Sequence, residues 1–364
     1  MHSDSPQPAW AVLTAGGDCP GLNAALHAIA VAAMNAGRTV LGVERGYAGL
    51  LENRFIPLSP QATEPHAARG GSLLGCDNRC DPGRWRDPAS PDAPPRDRVG
   101  EALTTLAQRG VGAMIVLGGE GSLGVAARFT LRGFPVVGIP KSIDNDIVAC
   151  DASLGFASAR QFACDAIDRL RDTGGAHRRA MFIELMGRRT GWLTLHAGLA
   201  AGADAVLMPE RAWSLDGLAR AIGARAGGPR GAVVCIAEGS PLGDRPPEQR
   251  RIAGTDGDPV RFGGVGERLA SMMQDRLSVE CRSCAPGHLV RGGAPIAADR
   301  ELAQRLAVVA VELLLQDRHG RVVLPRGGAI VDGDILQIGA RVNPVPQEHP
   351  LWAVANSLGI YTGD

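Results

Sequence analysis

Short apolar runs alternate with amphipathic stretches along the whole chain. The apolar run at residues 10–14 is followed by a glycine-rich turn over 15–21 and by a stretch over 22–36 whose apolar positions recur at helical spacing. The same order recurs and predicts further strands at 39–43, 113–117, 135–139, 180–185, 205–208 and 231–237. It also predicts further helices at 99–109, 122–131, 158–171, 192–201, 215–224, 265–275 and 300–316. This alternation indicates parallel sheets that are covered by helices on both faces.

At 364 residues, the chain is longer than one ordinary domain. We therefore predict an α/β fold of two Rossmann-like three-layer α/β/α domains. The first takes residues 1–155 with about 290–345, and the second takes about 156–289 with 346–364. The polar stretch 240–257 is expected to be an exposed excursion. Because open α/β sheets bind ligands at the carboxyl ends of their strands, we expect the active site in the cleft between the domains.

Charge and apolar content restrict the class of function. Lysine and arginine together number 38, as do aspartate and glutamate, so the formal net charge is zero, which argues against nucleic acids and membrane surfaces as partners. Residues 1–8 are polar and predict no secretory segment, and the apolar stretch 306–315 is too short to cross a bilayer. We therefore expect a cytoplasmic enzyme.

Cys281 and Cys284 are spaced like zinc ligands, but such a site needs four ligands, so ordinary thiols are favoured.

Lys141 is the only lysine of the chain and lies in the segment GIPKSIDND. A coding bias explains the excess of arginine, but it leaves this exception to be explained. Lysine is a compact charge on a flexible stem, and a crowded phosphate pocket can require it where the broad guanidinium of arginine does not fit. Asp144, Asn145 and Asp146 follow directly. The segment is therefore a candidate reaction centre, with a structural turn as the alternative.

Two glycine-rich turns stand between a predicted strand and a predicted helix. The turn at 16–23, GGDCPGLN, offers either a phosphate site at a helix N-terminus or a tight packing turn. The turn at 118–123 contains Glu120, which either binds a Mg²⁺ that bridges nucleotide phosphates or caps the helix with its negative charge. The first turn matches neither the dinucleotide pattern nor the Walker A pattern.

Arginines recur in the second half of the chain, where their forked guanidinium groups are suited to phosphate oxygens. Taken singly, each is more often a surface arginine. They are Arg178, Arg179, Arg188, Arg189, Arg282 and Arg291, the last within GHLVRGG.

Five motifs taken together resemble the phosphofructokinase family in order and spacing from residue 12 to about residue 295. They are GGDCPGLN, GGEGS, PKSIDND, MGRRTG and GHLVRGG. NAD kinases and lipid kinases share the second motif alone. The resemblance implies a glycolytic 6-phosphofructokinase that uses Mg²⁺, with a donor domain formed by the first predicted domain and a sugar-phosphate domain formed by the second.

The resemblance also implies roles for single residues. Asp144 resembles the base toward the 1-hydroxyl of fructose 6-phosphate, Ser142 stands beside the transferring phosphoryl group, and Asp146 supports metal and substrate. Lys141 and Arg188 complete the implied catalytic group. The implied donor contacts are Gly17, Tyr47, Arg79, Gly119, Glu120, Gly121 and Ser122, with Glu120 also at the metal. The implied sugar-phosphate contacts are Ser142, Asp144, Arg179, Met186, Gly187, Arg188, Glu238, Arg282, His288 and Arg291.

The phosphoryl donor has a mixed signature of the actinobacterial type. Members that use pyrophosphate resemble one another in an aspartate at the position of Gly121 and a lysine at the position of Lys141, whereas ATP users usually have glycine at both. A carboxylate at position 121 would repel the α-phosphate of ATP, and glycine admits it, so we favour ATP. Pyrophosphate as donor, and another ketose phosphate such as sedoheptulose 7-phosphate as acceptor, remain alternatives, as does a non-catalytic sugar-phosphate sensor.

The resemblance implies a homo-oligomer, either a dimer or a tetramer. Arg179 and Arg282 match residues that reach into the active site of a neighbouring subunit. An effector site of bacterial relatives is only partly matched: Arg54, Arg171 and Glu210 match it, but His27, Val31, Gly227 and Pro229 replace its basic residues. We therefore expect a weakened response to anionic effectors.

Overall fold

The computed structural model describes residues 7–87, 89–90, 93–243, 249–251 and 260–364. The strands are β1 (Ala9–Thr14), β2 (Val40–Val43), β3 (Phe55–Pro57), β4 (Val111–Gly118), β5 (Val136–Pro140), β6 (Ala180–Leu185), β7 (Ala205–Leu207), β8 (Ala232–Ala237), β9 (Gln249–Arg251), β10 (Val260–Phe262), β11 (Cys281–Cys284), β12 (Arg321–Arg326) and β13 (Ala329–Asp334).

The α-helices are α1 (Leu22–Asn35), α2 (Gly46–Leu51), α3 (Pro60–Thr63), α4 (Val99–Gln108), α5 (Glu120–Thr130), α6 (Phe156–His177), α7 (Trp192–Ala200), α8 (Leu215–Ala226), α9 (Val265–Gln274), α10 (Ala297–Leu315), α11 (Ile335–Ile338) and α12 (Pro350–Ser357). Short 3₁₀ turns lie at Glu64–His66, Pro82–Arg84 and Gly287–Arg291. Within the described residues, no helix is both long enough and apolar enough to span a membrane.

The chain divides into two compact units. The first contains the described residues of Met1–Ala157 and Arg291–Val342. The second contains those of Ser158–Ala253, Val260–Val290 and Asn343–Asp364.

The first unit is built on a seven-stranded sheet in the order β13-β12-β5-β4-β1-β2-β3. Its five inner strands are parallel, and β1 and β5 are almost fully buried, as expected for strands covered on both faces. The two edge strands, β3 and β13, pair antiparallel with their neighbours and were not predicted. β3 has only three residues, and the apolar run of β13 is short and followed by Asp-Gly-Asp. The inner strand β12 was not predicted either.

The second unit contains a four-stranded parallel sheet in the order β11-β6-β8-β7. Its edge strand β11 has the sequence CRSC and lacks an apolar run, so it was missed as well. Strands β9 and β10 form a separate antiparallel pair. Of the predicted excursion at 240–257, residues 244–248 and 252–257 lie outside the described residues. The two parallel-rich sheets confirm the predicted α/β class.

Two helix boundaries differ from the prediction in ways that affect the site. Helix α5 begins at Glu120 instead of residue 122, because Gly119 has the extended backbone of an N-cap and a carboxylate is favourable in the first turn. Helix α6 continues to His177 instead of ending at 171. The added turns contain Gly174 and Gly175, and a Cβ on Gly175 would lie 3.0 Å from the carbonyl oxygen of Pro229, so close packing favours glycine there.

Candidate active site

The glycine turn after β1 is held by contacts from three other segments of the first unit. Gly16 has φ of 81°, and its N–H donates to the carbonyl oxygen of Asp77 at 2.9 Å. A Cβ on Gly17 would lie 2.8 Å from Nη1 of Arg291. The turn therefore needs glycine both for its backbone conformation and for the close approach of an arginine.

Lys141 points its ammonium group at this turn. Its Nζ atom donates to the carbonyl oxygen of Gly17 at 2.5 Å, and the side chain is buried. A Cβ on Gly16 would lie 3.2 Å from Nζ of Lys141 and 3.2 Å from Oγ of Ser122. Burial lowers the pKa of Lys141, and the neighbouring thiols of Cys19 and Cys76 oppose this shift. The structure thus brings Gly17, Ser122 and Lys141 together at the carboxyl ends of β1, β4 and β5.

The turn between β4 and α5 leaves space beside Gly121. A Cβ built on Gly121 has no heavy atom within 4 Å, whereas one on Gly119 would lie 3.4 Å from the carbonyl oxygen of Lys141. Glu120 is the first residue of α5, and its carbonyl oxygen accepts from the N–H of Ala340 at 2.8 Å. Gly121 and Glu120 are thus at the helix N-terminus, where backbone N–H groups favour an anion.

Tyr47, one of the implied donor contacts, is packed inside the first unit. Its side chain is only 2% exposed, its ring stacks on Phe129 with centroids 6.0 Å apart, and its hydroxyl donates to the carbonyl oxygen of Ser122 at 2.7 Å. Burial raises the pKa of this hydroxyl well above its usual value. Tyr47 therefore holds the start of α5 through its hydroxyl, and its buried ring packs against Phe129.

The segment after Lys141 is a rigid, hydrogen-bonded turn. The hydroxyl of Ser142 donates to Oδ1 of Asp146 at 2.7 Å and accepts from the N–H of Asp144 at 3.2 Å. Asn145 has φ of 52°, and its amide holds the turn by bonding the carbonyl oxygen of Asp151 and the N–H of Ser153. Asp146 and Asn145 are buried, and Asp144 is half-buried. The backbone strain at Asn145 is thus stabilised locally, which fixes Ser142 and Asp144 relative to each other.

Two arginines border the first glycine turn. Arg79 is exposed. Its backbone N–H donates to Oδ1 of Asp77 at 2.6 Å, and the carbonyl oxygen of Asp77 accepts from the N–H of Gly16. Arg291 donates from Nη1 to the carbonyl oxygen of Asp18 at 3.1 Å. The sequence grouped Arg291 with His288 at the sugar phosphate. Arg291 lies in the first unit, at the first glycine turn, and its role toward the sugar phosphate stays a prediction.

The second unit brings other implied sugar-contact residues together at the carboxyl ends of β6 and β8. Gly187 has φ of 149°, and a Cβ there would lie 2.7 Å from the carbonyl oxygen of Thr190. The N–H of Gly239 donates to the carbonyl oxygen of Gly187 at 3.1 Å, so that Met186, Gly187 and Arg188 lie next to Glu238. The Arg188 guanidinium lies 5.1 Å from the centre of the Phe262 ring.

Arg179 and Arg282 share a hydrogen-bond partner, Glu280, that the sequence analysis did not predict. Nε of Arg179 donates to Oε2 of Glu280, and Nη2 of Arg282 donates to Oε1 of the same carboxylate. Glu280 stands two residues before Arg282, so the two side chains share a face of the strand, and this spacing was a signal that the sequence contained. His288 is exposed on the 3₁₀ turn Gly287–Arg291.

Asn23 is a second residue without a predicted role. It is buried in α1, its Nδ2 donates to the carbonyl oxygens of Arg69 and Gly70, and its Oδ1 accepts from the N–H of Leu73 at 2.7 Å. Asn23 therefore clamps the loop that leads to Arg79. A polar residue at an otherwise apolar helix position was the available signal.

Two of the three residues that match an effector site, Glu210 and Arg171, bind backbone groups of other residues in the second unit. Both carboxylate oxygens of Glu210 accept from the N–H of Gly191, at 2.9 and 3.1 Å, and Oε1 also accepts from Val345 at 3.1 Å. Burial raises the pKa of Glu210, and these backbone bonds oppose the shift. Arg171 donates to the carbonyl oxygens of Ala201 and Gly202. Both side chains therefore have structural partners within the second unit.

Metal-ligating side chains do not cluster in the described part of the chain. No group of three or more His, Cys, Asp or Glu side chains in that part could hold a metal ion by itself. Mg²⁺ usually binds through one or two carboxylates together with substrate phosphates, and a single protein carboxylate such as that of Glu120 suits that mode. Cys281 and Cys284 lie on β11, and burial raises the pKa of the Cys281 thiol to about 11.

Comparison with known proteins gives consistent matches over the chain. The family model described as phosphofructokinase matches residues 9–314. ATP-dependent 6-phosphofructokinase 2 of Streptomyces coelicolor is 38% identical over 339 residues, covering 93% of this chain and 96% of that protein. Pyrophosphate–fructose 6-phosphate 1-phosphotransferase of Amycolatopsis methanolica is 39% identical over 340 residues, covering 93% of this chain and 96% of that protein. The two relatives have different donors in their names, so similarity alone does not decide the donor.

Solved structures match as well. Phosphofructokinase of Pichia pastoris in the T-state has a TM-score of 0.77 and 28% identity over 98% of this chain, which spans 39% of the Pichia chain. The pyrophosphate-dependent phosphofructokinase of Nitrosospira multiformis has a TM-score of 0.77 and covers 99% of this chain and 93% of its own length. Its identity is 17%, so this second match concerns the fold alone.

Proposed function

The chain belongs to the phosphofructokinase family and is a phosphotransferase with an alcohol acceptor; within that family, we propose that it transfers the γ-phosphoryl group of ATP to the 1-hydroxyl of fructose 6-phosphate. The products are fructose 1,6-bisphosphate and ADP. This is a glycolytic reaction, and we propose the cytoplasm as its location.

The choice of ATP depends on the space beside Gly121. No heavy atom lies within 4 Å of a Cβ at this position. Glycine here leaves room for the α-phosphate and nucleoside of ATP, and it adds no negative charge against them. Gly17, Gly119 and Ser122 would receive the donor phosphates at the neighbouring helix N-termini, with Arg79 neutralising their charge.

Catalysis in this proposal is positioning and charge neutralisation. Asp144 accepts the proton of the 1-hydroxyl, and its backbone is held by the Ser142 hydroxyl. Asp146 orients the Ser142 hydroxyl, which donates a hydrogen bond to Oδ1 of Asp146 at 2.7 Å. Lys141 supplies positive charge at the donor turn. Mg²⁺, held by Glu120 and the donor phosphates, would supply further neutralisation when bound.

The sugar phosphate is assigned to residues of the second unit. Met186, Gly187, Arg188 and Glu238 lie together at the strand ends and would contact the sugar, and His288 would contact its phosphate. Arg179 and Arg282 would serve the site of a neighbouring subunit in a homo-oligomer.

Pyrophosphate is the second candidate donor, and the observation that favours it is Lys141 at the glycine turn. A buried ammonium beside the donor site suits a small, highly charged donor. A related acceptor such as sedoheptulose 7-phosphate would use the same groups.

A donor comparison tests the proposal. Purified protein with Mg²⁺ and fructose 6-phosphate should form fructose 1,6-bisphosphate with ATP at a kcat/KM well above that with pyrophosphate. The reverse ranking would assign the pyrophosphate-dependent reaction, and a higher kcat/KM for sedoheptulose 7-phosphate would change the acceptor.

A further inference from the structure

Glu280 links two arginines at the edge of the four-stranded sheet. Its Oε2 accepts from Nε of Arg179, and its Oε1 accepts from Nη2 of Arg282. Each carboxylate oxygen therefore holds a different guanidinium group. Arg179 directly precedes β6, and Arg282 lies on β11, which pairs with β6.

The backbone fixes the place from which Glu280 acts. The N–H of Ala180 donates to the carbonyl oxygen of Glu280 at 3.0 Å, and the parallel ladder continues with Arg282 opposite Met181. The carboxylate thus extends from a position that is anchored to the neighbouring strand. One side chain can therefore set the positions of two guanidinium groups that belong to different strands.

The position of this triad at the surface argues against a role in fold stability. The side chain of Glu280 is 38% exposed, and those of Arg179 and Arg282 are 29% and 59% exposed. Ion pairs that are this accessible to water contribute little to folding. The arrangement therefore calls for another explanation.

The hydrogen bonds to Glu280 use only part of each arginine. A guanidinium group has five N–H donors. Arg179 uses Nε in this pair, so its two terminal nitrogens lie outside it, and Arg282 uses one terminal nitrogen. The triad carries one net positive charge, since two guanidinium groups surround one carboxylate. Pairs of such N–H donors are the groups that bind phosphate oxygens.

We propose that Glu280 is a positioning residue for phosphate recognition, which holds Arg179 and Arg282 as one preorganised pair for the phosphate of the sugar substrate. This inference rests on the proposed function, in which both arginines serve the sugar-phosphate site of a neighbouring subunit. Glu280 itself does not contact the substrate. It reduces the repulsion between the two cations and limits their rotamers, so less conformational freedom is lost on binding.

Steady-state kinetics of Glu280→Ala and Glu280→Gln test the role. With saturating ATP, Glu280→Ala should raise the KM for fructose 6-phosphate at least about tenfold, with kcat and the KM for ATP changed less than about twofold. Glu280→Gln should be intermediate, because its amide oxygen accepts a hydrogen bond but carries no charge. The matched control is Asp216→Asn, which removes an exposed carboxylate that lies 3.5 Å from Arg276 in the same unit. This control should behave like wild type.

Coupling separates positioning from a general charge effect. In an Arg179→Ala/Arg282→Ala background, adding Glu280→Ala should change the KM for fructose 6-phosphate by less than about twofold, because Glu280 acts through the two arginines. A tenfold effect that persists in that background would overturn the proposal, as would an unchanged KM in Glu280→Ala alone.

Inorganic phosphate gives a readout that does not depend on the reaction. It should raise the unfolding temperature of wild type, and at least half of this rise should be lost both in Glu280→Ala and in the double arginine variant. If wild type fails to phosphorylate fructose 6-phosphate, the proposed function fails, yet this comparison still decides the role of Glu280. Equal rises in wild type and Glu280→Ala, or no rise in wild type, would reject it.

Discussion

The ammonium group of Lys141 donates a hydrogen bond to the carbonyl oxygen of Gly17 at 2.5 Å, so the only lysine of the chain is tied to the first glycine turn. This contact joins the carboxyl end of β5 to that of β1. The side chain is 4% exposed, and burial lowers its pKa. An ammonium group in this position adds positive charge at the first glycine turn and is narrower than a guanidinium group.

Lys141→Met should therefore impair use of the donor. Methionine keeps the length of the side chain and removes its charge, so kcat/KM for the donor should fall at least about tenfold while the KM for fructose 6-phosphate changes little. Lys141→Arg should not restore activity, because the ammonium is buried against the carbonyl oxygen of Gly17 and a guanidinium group is wider. Full donor use by a folded Met variant would make Lys141 a structural residue only.

Asp144 should be essential for turnover and dispensable for binding. Asp144→Ser removes the proposed base, so kcat should fall by at least about a thousandfold, because the group acts in the transition state. Sugar-phosphate binding, measured by calorimetry, should persist. A loss of less than about tenfold would exclude Asp144 as the base.

Most central strands and their following turns could be predicted because their apolar runs are buried, but the inner strand β12, with the sequence RVVLPR, was not predicted. β6 matched its predicted bounds, and β4 extended beyond its prediction by only a few residues. The edge strands β11 and β13 could not be predicted, because their sequences, CRSC and AIVDGD, contain no long apolar run and no regular alternation, and pairing with a neighbouring strand defines them.

The candidate site was predictable as motifs but not as contacts. The sequence identified Lys141, Ser142 and Gly17 as separate candidates. Their association depends on strand order in the sheet, which residue spacing does not encode. The burial of Tyr47 and the turn of Arg291 toward Asp18 follow from tertiary packing for the same reason.

Hybrid oligomers test whether active sites are shared between subunits. Arg282→Ala should raise the KM for fructose 6-phosphate, and Asp144→Ser should abolish turnover. Mixed oligomers of the two variants should regain activity, because one site can take its arginine and its aspartate from different subunits. Homo-oligomers of each variant, denatured and refolded alone, are the control. Hybrids that have formed, yet remain inactive, would contradict the shared site.

His196 should make the second unit sensitive to acid. Burial, together with the positive charge of Arg160 and with His349, lowers the pKa of His196 from 6.5 to about 4. As the pH falls from 6.5 to 4, the unfolded chain takes up a proton before the folded protein does, so the free energy of unfolding decreases. Because the group is partly exposed, we expect a loss on the order of 2 kcal/mol.

His196→Gln removes this titration. Urea unfolding at pH 6.5 and pH 4.5 should show a smaller loss of stability in the variant than in wild type. Carboxylates titrate in both proteins, so the difference between them isolates His196. Equal pH dependence in the two proteins would show that His196 keeps an ordinary pKa.

Gly121→Asp should change the choice of donor without disturbing the fold. The residue lies in the first turn of α5, and a Cβ there meets no heavy atom within 4 Å, so a larger side chain has room. In the presence of ATP, the same space would be filled by the α-phosphate, which the new carboxylate repels and displaces. Pyrophosphate has no α-phosphate linked to a nucleoside, and Lys141 is present to support it, so its use should suffer less.

The ratio of kcat/KM for ATP to that for pyrophosphate should therefore fall at least about a hundredfold in Gly121→Asp, a difference of about 2.7 kcal/mol in transition-state binding. Gly121→Asn has the same size without the charge, and Gly121→Ala adds only the Cβ, so the three variants separate repulsion from volume. Asn should lower the ratio less than Asp, and Ala should lower it least. If a folded Gly121→Asp protein keeps the wild-type ratio, position 121 does not select the donor, and the open space beside it no longer supports ATP over pyrophosphate.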